Sequence, residues 1–140
     1  MTDRRIYYTK GYKYQLYARV EHQLPDHFLT YIEAAIQTKF ISISLTGLME
    51  FCYSYSWDGP SGPTYDSKDF MRASLIHDGG YQLIREGVIA PEARRLFDDE
   101  LRRICLEDGM GAIRAGYSHW AVSKFGNSAS IENKDILVAP

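Results

Sequence analysis

The stretch Phe70-Met71-Arg72-Ala73-Ser74-Leu75-Ile76-His77-Asp78-Gly79-Gly80-Tyr81 decides how this 140-residue chain is read. Phe70, Ala73, His77, Tyr81 and Ile84 recur at i+3/i+4, the spacing of one helical face. Ser67 stands where a cap is needed and Gly87 where a helix stops, so the spacing predicts a helix between them. Gly79-Gly80 costs that helix roughly 1 kcal/mol per glycine against alanine. Such a cost is tolerated where the backbone must approach a neighbouring helix or a ligand. His77 and Asp78 sit in an apolar pattern. Desolvating either group costs on the order of several kcal/mol unless a partner compensates.

Upstream of this helix the pattern alternates. Phe40-Ile41-Ser42-Ile43-Ser44-Leu45 puts Ile41, Ile43 and Leu45 on one face, Thr46-Gly47 supplies a reversal, and residues 48–55 continue with β-prone side chains. This predicts a β-hairpin. Residues 12–20 read as an earlier strand and 5–8 as a further short one. Residues 26–38 stay open between a helical and an irregular reading, with Phe28, Ile32, Ala35 and Ile36 at helical spacing. Downstream the 3.6-residue period continues. Pro91 opens a second helix with Ala93, Leu96, Phe97, Leu101, Ile104 and Cys105 inward, and Gly109 ends it. A third helix is predicted over 112–125, with Ile113, Tyr117, Trp120 and Ala121 buried. The expected fold is α+β: a small N-terminal antiparallel β-sheet, then two or three packed helices. The chain reads as one domain over 1–140. Residues 1–57 are mainly β, 58–66 a glycine- and proline-rich loop, 67–126 helical, and 127–140 a tail with an extended segment at 135–138.

The totals narrow the function. Lys and Arg number 16 against 18 Asp and Glu, and the 11 tyrosines are not interleaved with a basic run. Neither feature points to nucleic acid. No apolar stretch approaches the length of a membrane span, and the N-terminal residues do not read as a signal peptide. Cys52 and Cys105 read as buried thiols in a cytosolic setting. The four histidines are scattered and neither cysteine belongs to a CxxC pair, which argues against a transition-metal site. A Walker loop and a Gly-x-Ser-x-Gly elbow are both missing from the sequence.

What remains is a constellation around the first helix. His77 and Tyr81 lie at i and i+4 and project from one face; Asp78 is turned about a quarter of a revolution away. If the second helix runs antiparallel to the first, Asp98 reaches His77, fixes its tautomer and leaves the other nitrogen as a base. Each group also has a plain reading. His77 fits a core histidine satisfied by backbone or a tyrosine hydroxyl, and Asp98 a carboxylate paired with Arg94 or Arg102. Asp78 has no Lys or Arg one turn away, which suggests a cation. Calcium takes oxygen ligands, including carbonyls that the loop Gly59-Pro60-Ser61-Gly62 can present. The loop reads equally as a rigid connector of turn residues.

Two resemblances attach to these residues. Trp57-Asp58-Gly59-Pro60-Ser61-Gly62-Pro63-Thr64, then Asp69-Phe70-Met71-Arg72 and Ser74-Leu75-Ile76-His77-Asp78-x-x-Tyr81-Gln82-Leu83, resembles a small uncharacterised family of tailed phages and prophages. Ile104-Cys105-Leu106-Glu107-Asp108-Gly109-Met110 fits the same family. That resemblance implies a bacteriophage origin, in the host bacterial cytoplasm or the virion, and carries no established activity. More distantly, the loop, the His-Asp-x-x-Tyr helix and the aspartate on a second helix look like the core of calcium-dependent phospholipases A(2), especially compact microbial ones. This implies His77 as the base, Asp98 as its orienting acid and Tyr81 as a brace. It also implies a calcium ion held by Asp78 with Asp58, Gly59, Ser61 and Gly62, and a phospholipid substrate. The expectation is therefore a calcium-assisted phospholipase or ester hydrolase. The alternatives are a virion structural or assembly protein that contacts other virion proteins or itself, and a small phage effector of a host process.

Overall fold

A computed structural model describes residues 3–11, 13–59, 67–125 and 138–140. The order of elements is the expected one, strands first and helices after, in an α+β arrangement. The strands form two small antiparallel sheets instead of one. β1 (Tyr8–Lys10), β2 (Tyr14–Leu16) and β7 (Ser56–Trp57) make a three-stranded sheet in the order β1-β2-β7. β3 (Val20–Gln23), β4 (Ile36–Gln37), β5 (Ile41–Ile43) and β6 (Leu48–Phe51) make the second, in the order β3-β6-β5-β4. The strand expected over 12–20 is thus split between the sheets, with Tyr14–Leu16 in one and Val20 opening β3 in the other. Residues 26–38 resolve into a 3-10 turn, Asp26–Tyr31, followed by β4.

The β5–β6 hairpin turns where Thr46-Gly47 predicted it. Gly47 adopts φ +85°, the left-handed conformation that glycine accepts without a Cβ clash. Ile41 and Ile43 are fully buried, but Leu45 is exposed, because it lies in the turn beyond the last strand residue. In register, Ile43 faces Met49 and His22 also faces Met49, while Val20 and Ile41 both face Phe51. One surface of this sheet is therefore apolar except for a buried histidine.

α1 (Lys68–Arg85) buries nearly its whole circumference between the sheets and α2 (Arg94–Glu107). Ser67 holds the N-cap position, yet its hydroxyl turns to Asp69 Oδ1 at 2.5 Å instead of capping the backbone. Gly87, at φ +73°, ends the helix, and Pro91 opens a 3-10 turn that leads into α2. Contacts between α1 and α2 run in opposite sequence directions: Gly80 against Phe97, His77 against Asp98, and Arg72 against Glu107 and Asp108. The helices are antiparallel. A Cβ at Gly80 would lie 2.4–2.5 Å from the Phe97 ring, and one at Gly79 would lie 2.5 Å from the Phe51 ring. The paired glycines therefore let α1 come into contact with a helix on one side and a sheet on the other.

α3 (Ala112–Phe125) spans the expected residues but is rotated away from the expected orientation. Ala115, Ser118, Ala121 and Val122 are buried, while Ile113, Tyr117 and Trp120 point outward. The segment expected at 135–138 and most of the tail lie outside the described residues. Among the described helices none is long and apolar enough to cross a membrane.

Candidate active site

The antiparallel pairing of α1 and α2 brings three of the sequence-selected residues into one network. His77 Nε2 lies 2.7 Å from Asp98 Oδ1, and the Tyr81 hydroxyl donates to the same oxygen at 2.5 Å. The His77 and Tyr81 rings pack 4.1 Å apart, centroid to centroid. All three are deeply buried, at 5% relative exposure for His77 and 2% each for Asp98 and Tyr81. Arg94 completes the set from one turn earlier on α2, with Nη1 3.5 Å from Asp98 Oδ2 and also donating to the Ser123 carbonyl. The two sequence readings of Asp98, partner of a histidine and partner of Arg94, are both realised, one on each carboxylate oxygen.

The bond directions follow from donor chemistry. A carboxylate only accepts, so the Nε2 proton of His77 and the hydroxyl proton of Tyr81 point at Asp98, and Nδ1 of the neutral ring carries the lone pair. Burial works to lower the basicity of His77, yet the flanking Asp78 and Asp98 outweigh it and hold the imidazole above its ordinary value. Burial and Asp98 push the Tyr81 phenol upward, which keeps it a donor.

Nδ1 faces Asp78, with 3.8 Å to Oδ1. The Asp78 side chain keeps 27% exposure against 6% for His77, so solvent reaches the carboxylate. The Asp78 carboxylate is partnered by His77, with Arg85 also in electrostatic range. Burial raises its carboxyl above the ordinary range against the opposing pull of His77, and Asp58 adds like-charge repulsion. The start of the loop is tied down near this point. The indole of Trp57 donates to Ser74 Oγ at 3.0 Å, one turn before His77, and the Tyr55 hydroxyl donates to Gln82 Oε1 at 2.8 Å.

The expected cation ligands are placed unevenly. Asp58 is exposed and its carboxylate meets Lys13 Nζ at 3.1 Å. Gly59 holds φ +87° with its α-carbon against the Tyr14 ring, where a Cβ would come within 2.5 Å. Ser61 and Gly62 lie outside the described residues. Among the described residues no group of three or more His, Cys, Asp or Glu side chains converges on one point. A cation here would have to be held by Asp78 together with backbone carbonyls and water.

The structure also contains a second buried imidazole–carboxylate pair that sequence reasoning missed. His22, on β3, meets Glu100, on α2, with 2.6 Å between Nε2 and Oε2. Its other nitrogen faces Arg72 Nη1 at 3.4 Å, and because a guanidinium only donates, Nδ1 is the acceptor. Glu100 is further held by Arg103 at 2.6 and 2.7 Å. Burial would raise the Glu100 carboxyl, but Arg103 and His22 together keep it below its usual value. The adjoining cleft, about 550 Å³, is lined by Arg4, Arg19, Arg72 and Arg103 among others. Each of these arginines meets a carboxylate: Arg4 on Glu107, Arg19 on Glu21 and Glu50, Arg72 on Glu107 and Asp108, and Arg103 on Glu100 and Glu107. Glu100 sits two positions past Asp98, off the apolar face, so only its i+3 relation to Arg103 was visible in the sequence.

Cys105 is buried and its thiol is pushed up to about 12, so it has no nucleophilic character at neutral pH. Comparison of the chain with protein-family models, curated proteins and solved structures gives no match.

Proposed function

We propose that the protein is an ester hydrolase that cleaves an acyl ester of the phospholipid class, with His77 as general base. The observation that supports this most directly is the asymmetry of the His77 ring. Nε2 is committed to Asp98, which Tyr81 and Arg94 brace, while Nδ1 is left beside a carboxylate with access to water. Nδ1 takes a proton from a water molecule as the water oxygen bonds to the ester carbonyl carbon. The imidazolium that forms is stabilised by Asp98. The tetrahedral intermediate then expels the alcohol, which receives the proton from Nδ1–H, leaving a carboxylic acid and the free hydroxyl compound.

Calcium is the proposed cofactor, held by Asp78 with carbonyls of the loop that begins at Asp58. Its contribution when bound is to polarise the ester carbonyl and stabilise the oxyanion. Support for it comes from Asp78, a partly buried carboxylate beside His77 with the Asp58 carboxylate, as well as Arg85, in electrostatic range. The test is acyl release from phospholipid vesicles with calcium supplied, together with calcium titration by calorimetry. Release that needs calcium and is lost in His77→Ala is expected. Folded protein that takes up no calcium and releases no acyl chain overturns the proposal.

A second reading has its own observation. Tyr7, Tyr17 and Tyr53 are exposed, and Tyr7, Tyr8 and Tyr17 border a groove of about 430 Å³ beside the three-stranded sheet. Tyrosines of this kind suit a protein interface, such as that of a virion or assembly component. Recovery of the protein from purified phage particles, with His77→Ala leaving incorporation unchanged, favours this reading.

A further inference from the structure

A cleft of about 750 Å³ opens where residues 3–6 line the same space as the start of α1. Its apolar wall is Ile6, Tyr8 and Met71. The Tyr8 ring is fixed edge-on against Tyr14 and Trp57, with centroids 5.7 and 5.9 Å away. The rest of the lining is charged, with Arg4, Arg5, Lys68 and Arg72 against Asp3 and Asp108. Arg5 is held by Asp3, Arg72 by Glu107 and Asp108, and Arg4 by Glu107. Even with Glu107 counted, these four cations face three carboxylates. The surplus is Lys68, which has no ion pair among the described residues. Lys68 is also the first residue of α1, where the positive end of the helix dipole opposes it. Helix stability alone favours an acid at that position.

We infer that this cleft binds a small amphipathic anion, a carboxylate or phosphate group on an apolar body, with Lys68 taking the anionic group. Three observations select that ligand. The volume lies within the range of small-molecule pockets, which combine apolar walls with a few charged groups. The uncompensated positive charge calls for a negative one on the ligand, and Lys68 has donors to spare for it. The buried Met71 and half-buried Ile6 and Tyr8 offer surface that only hydrocarbon covers with gain, which a bare inorganic ion cannot supply. The adjoining cleft beside His22 lacks this combination, since each of its arginines meets a carboxylate. His77 does not line the cleft, so the inference stands apart from the proposed hydrolysis.

The test is calorimetric titration of the full chain with sodium octanoate and with octyl phosphate, beside octanol and inorganic phosphate. Saturable binding of octanoate, octyl phosphate or both is expected, and the tighter of the two tells a carboxylate ligand from a phosphate one. Octanol and inorganic phosphate are expected to bind about tenfold more weakly or worse, the scale of one hydrogen bond to a charged group. Lys68→Glu is expected to weaken binding by about tenfold or more while keeping the fold, because an acid suits the first turn of a helix. Lys68→Arg should retain binding, Ile6→Asp should weaken it, and His77→Ala should leave it unchanged. Circular dichroism checks the fold of each variant. No saturable binding of either anion, or binding that Lys68→Glu leaves intact, overturns the inference. Octanol or inorganic phosphate binding as tightly as the amphipathic anions also overturns it.

Discussion

His77 and His22 are held by carboxylates of the same helix, Asp98 and Glu100, two positions apart and on opposite sides of α2. Both imidazoles are buried, and both use Nε2 to reach their acid. They differ in what meets the other nitrogen. Arg72 occupies Nδ1 of His22, and Arg103 takes up the remaining capacity of Glu100, so that pair joins β3 to α2 with nothing left over. Among the described residues Nδ1 of His77 meets Asp78, at 3.8 Å. A buried histidine–carboxylate pair is thus not by itself a mark of catalysis. On the proposed reading, what separates a reactive pair from a structural one is whether the second nitrogen keeps a lone pair that a water can reach.

The largest expected effect tests that difference directly. His77→Ala is expected to lower acyl release by about three orders of magnitude, in the upper range for loss of a general base. His22→Ala is expected to leave the rate per folded molecule unchanged. Equal losses in both variants, measured at the same folded fraction, would erase the distinction. Next in size, Glu100→Ala leaves His22 and Arg103 without their shared acid and is expected to cost about 3 kcal/mol in urea unfolding.

Gly80→Ala sharpens the comparison from the side of packing. The open pair exists only because α1 and α2 touch where Gly80 meets Phe97, immediately before Asp98. The added methyl has no room, so about 2 kcal/mol of stability is expected to be lost, with acyl release falling as Asp98 is displaced. Arg94→Gln removes the brace on Asp98 Oδ2. A few-fold drop in kcat with KM unchanged is expected from steady-state kinetics, and Arg94→Lys should restore part of it.

The smallest effect is in pH. The Glu100 carboxyl is held below its ordinary value of 4.5 by Arg103 and His22. Its folded value is lower than its unfolded one, so its stabilising contribution is complete above 4.5 and is lost as pH falls through the folded value. The stability difference between the parent and Glu100→Gln, followed by urea melts, is therefore expected to hold from neutral pH down to 4.5 and to shrink on further acidification. A difference that grows on acidification would mean that Glu100 is not held ionised.

Much of this was legible in the chain. Alternation and the Thr46-Gly47 turn placed the β5–β6 hairpin, and the i+3/i+4 face with Gly87 and Pro91 placed α1 and α2. His77, Tyr81 and Asp98 could be joined because two helices with a short connection pack antiparallel, so residues at matched distances from the turn meet. Glu100 was not legible. A glutamate two positions from Asp98 reads as part of the charged face, and only the presence of β3 on that side of α2 makes it internal. The division of residues 14–23 between two sheets was hidden for a related reason. Alternation reports that a strand has two faces and is silent on which neighbour it pairs with.

The sequence by itself determined the three helical segments with their breakers, the β5–β6 hairpin, and the need of a buried imidazole for partners. Those properties follow from local spacing, caps and breakers, which act within a few residues. Tertiary structure alone decided that α3 faces its small side chains inward, that Asp58 turns to Lys13, and that Arg72 meets Nδ1 of His22 while Asp78 stands beside Nδ1 of His77. Each of these depends on which surface of another element arrives alongside, and contacts between residues far apart in the chain leave no periodic trace in it.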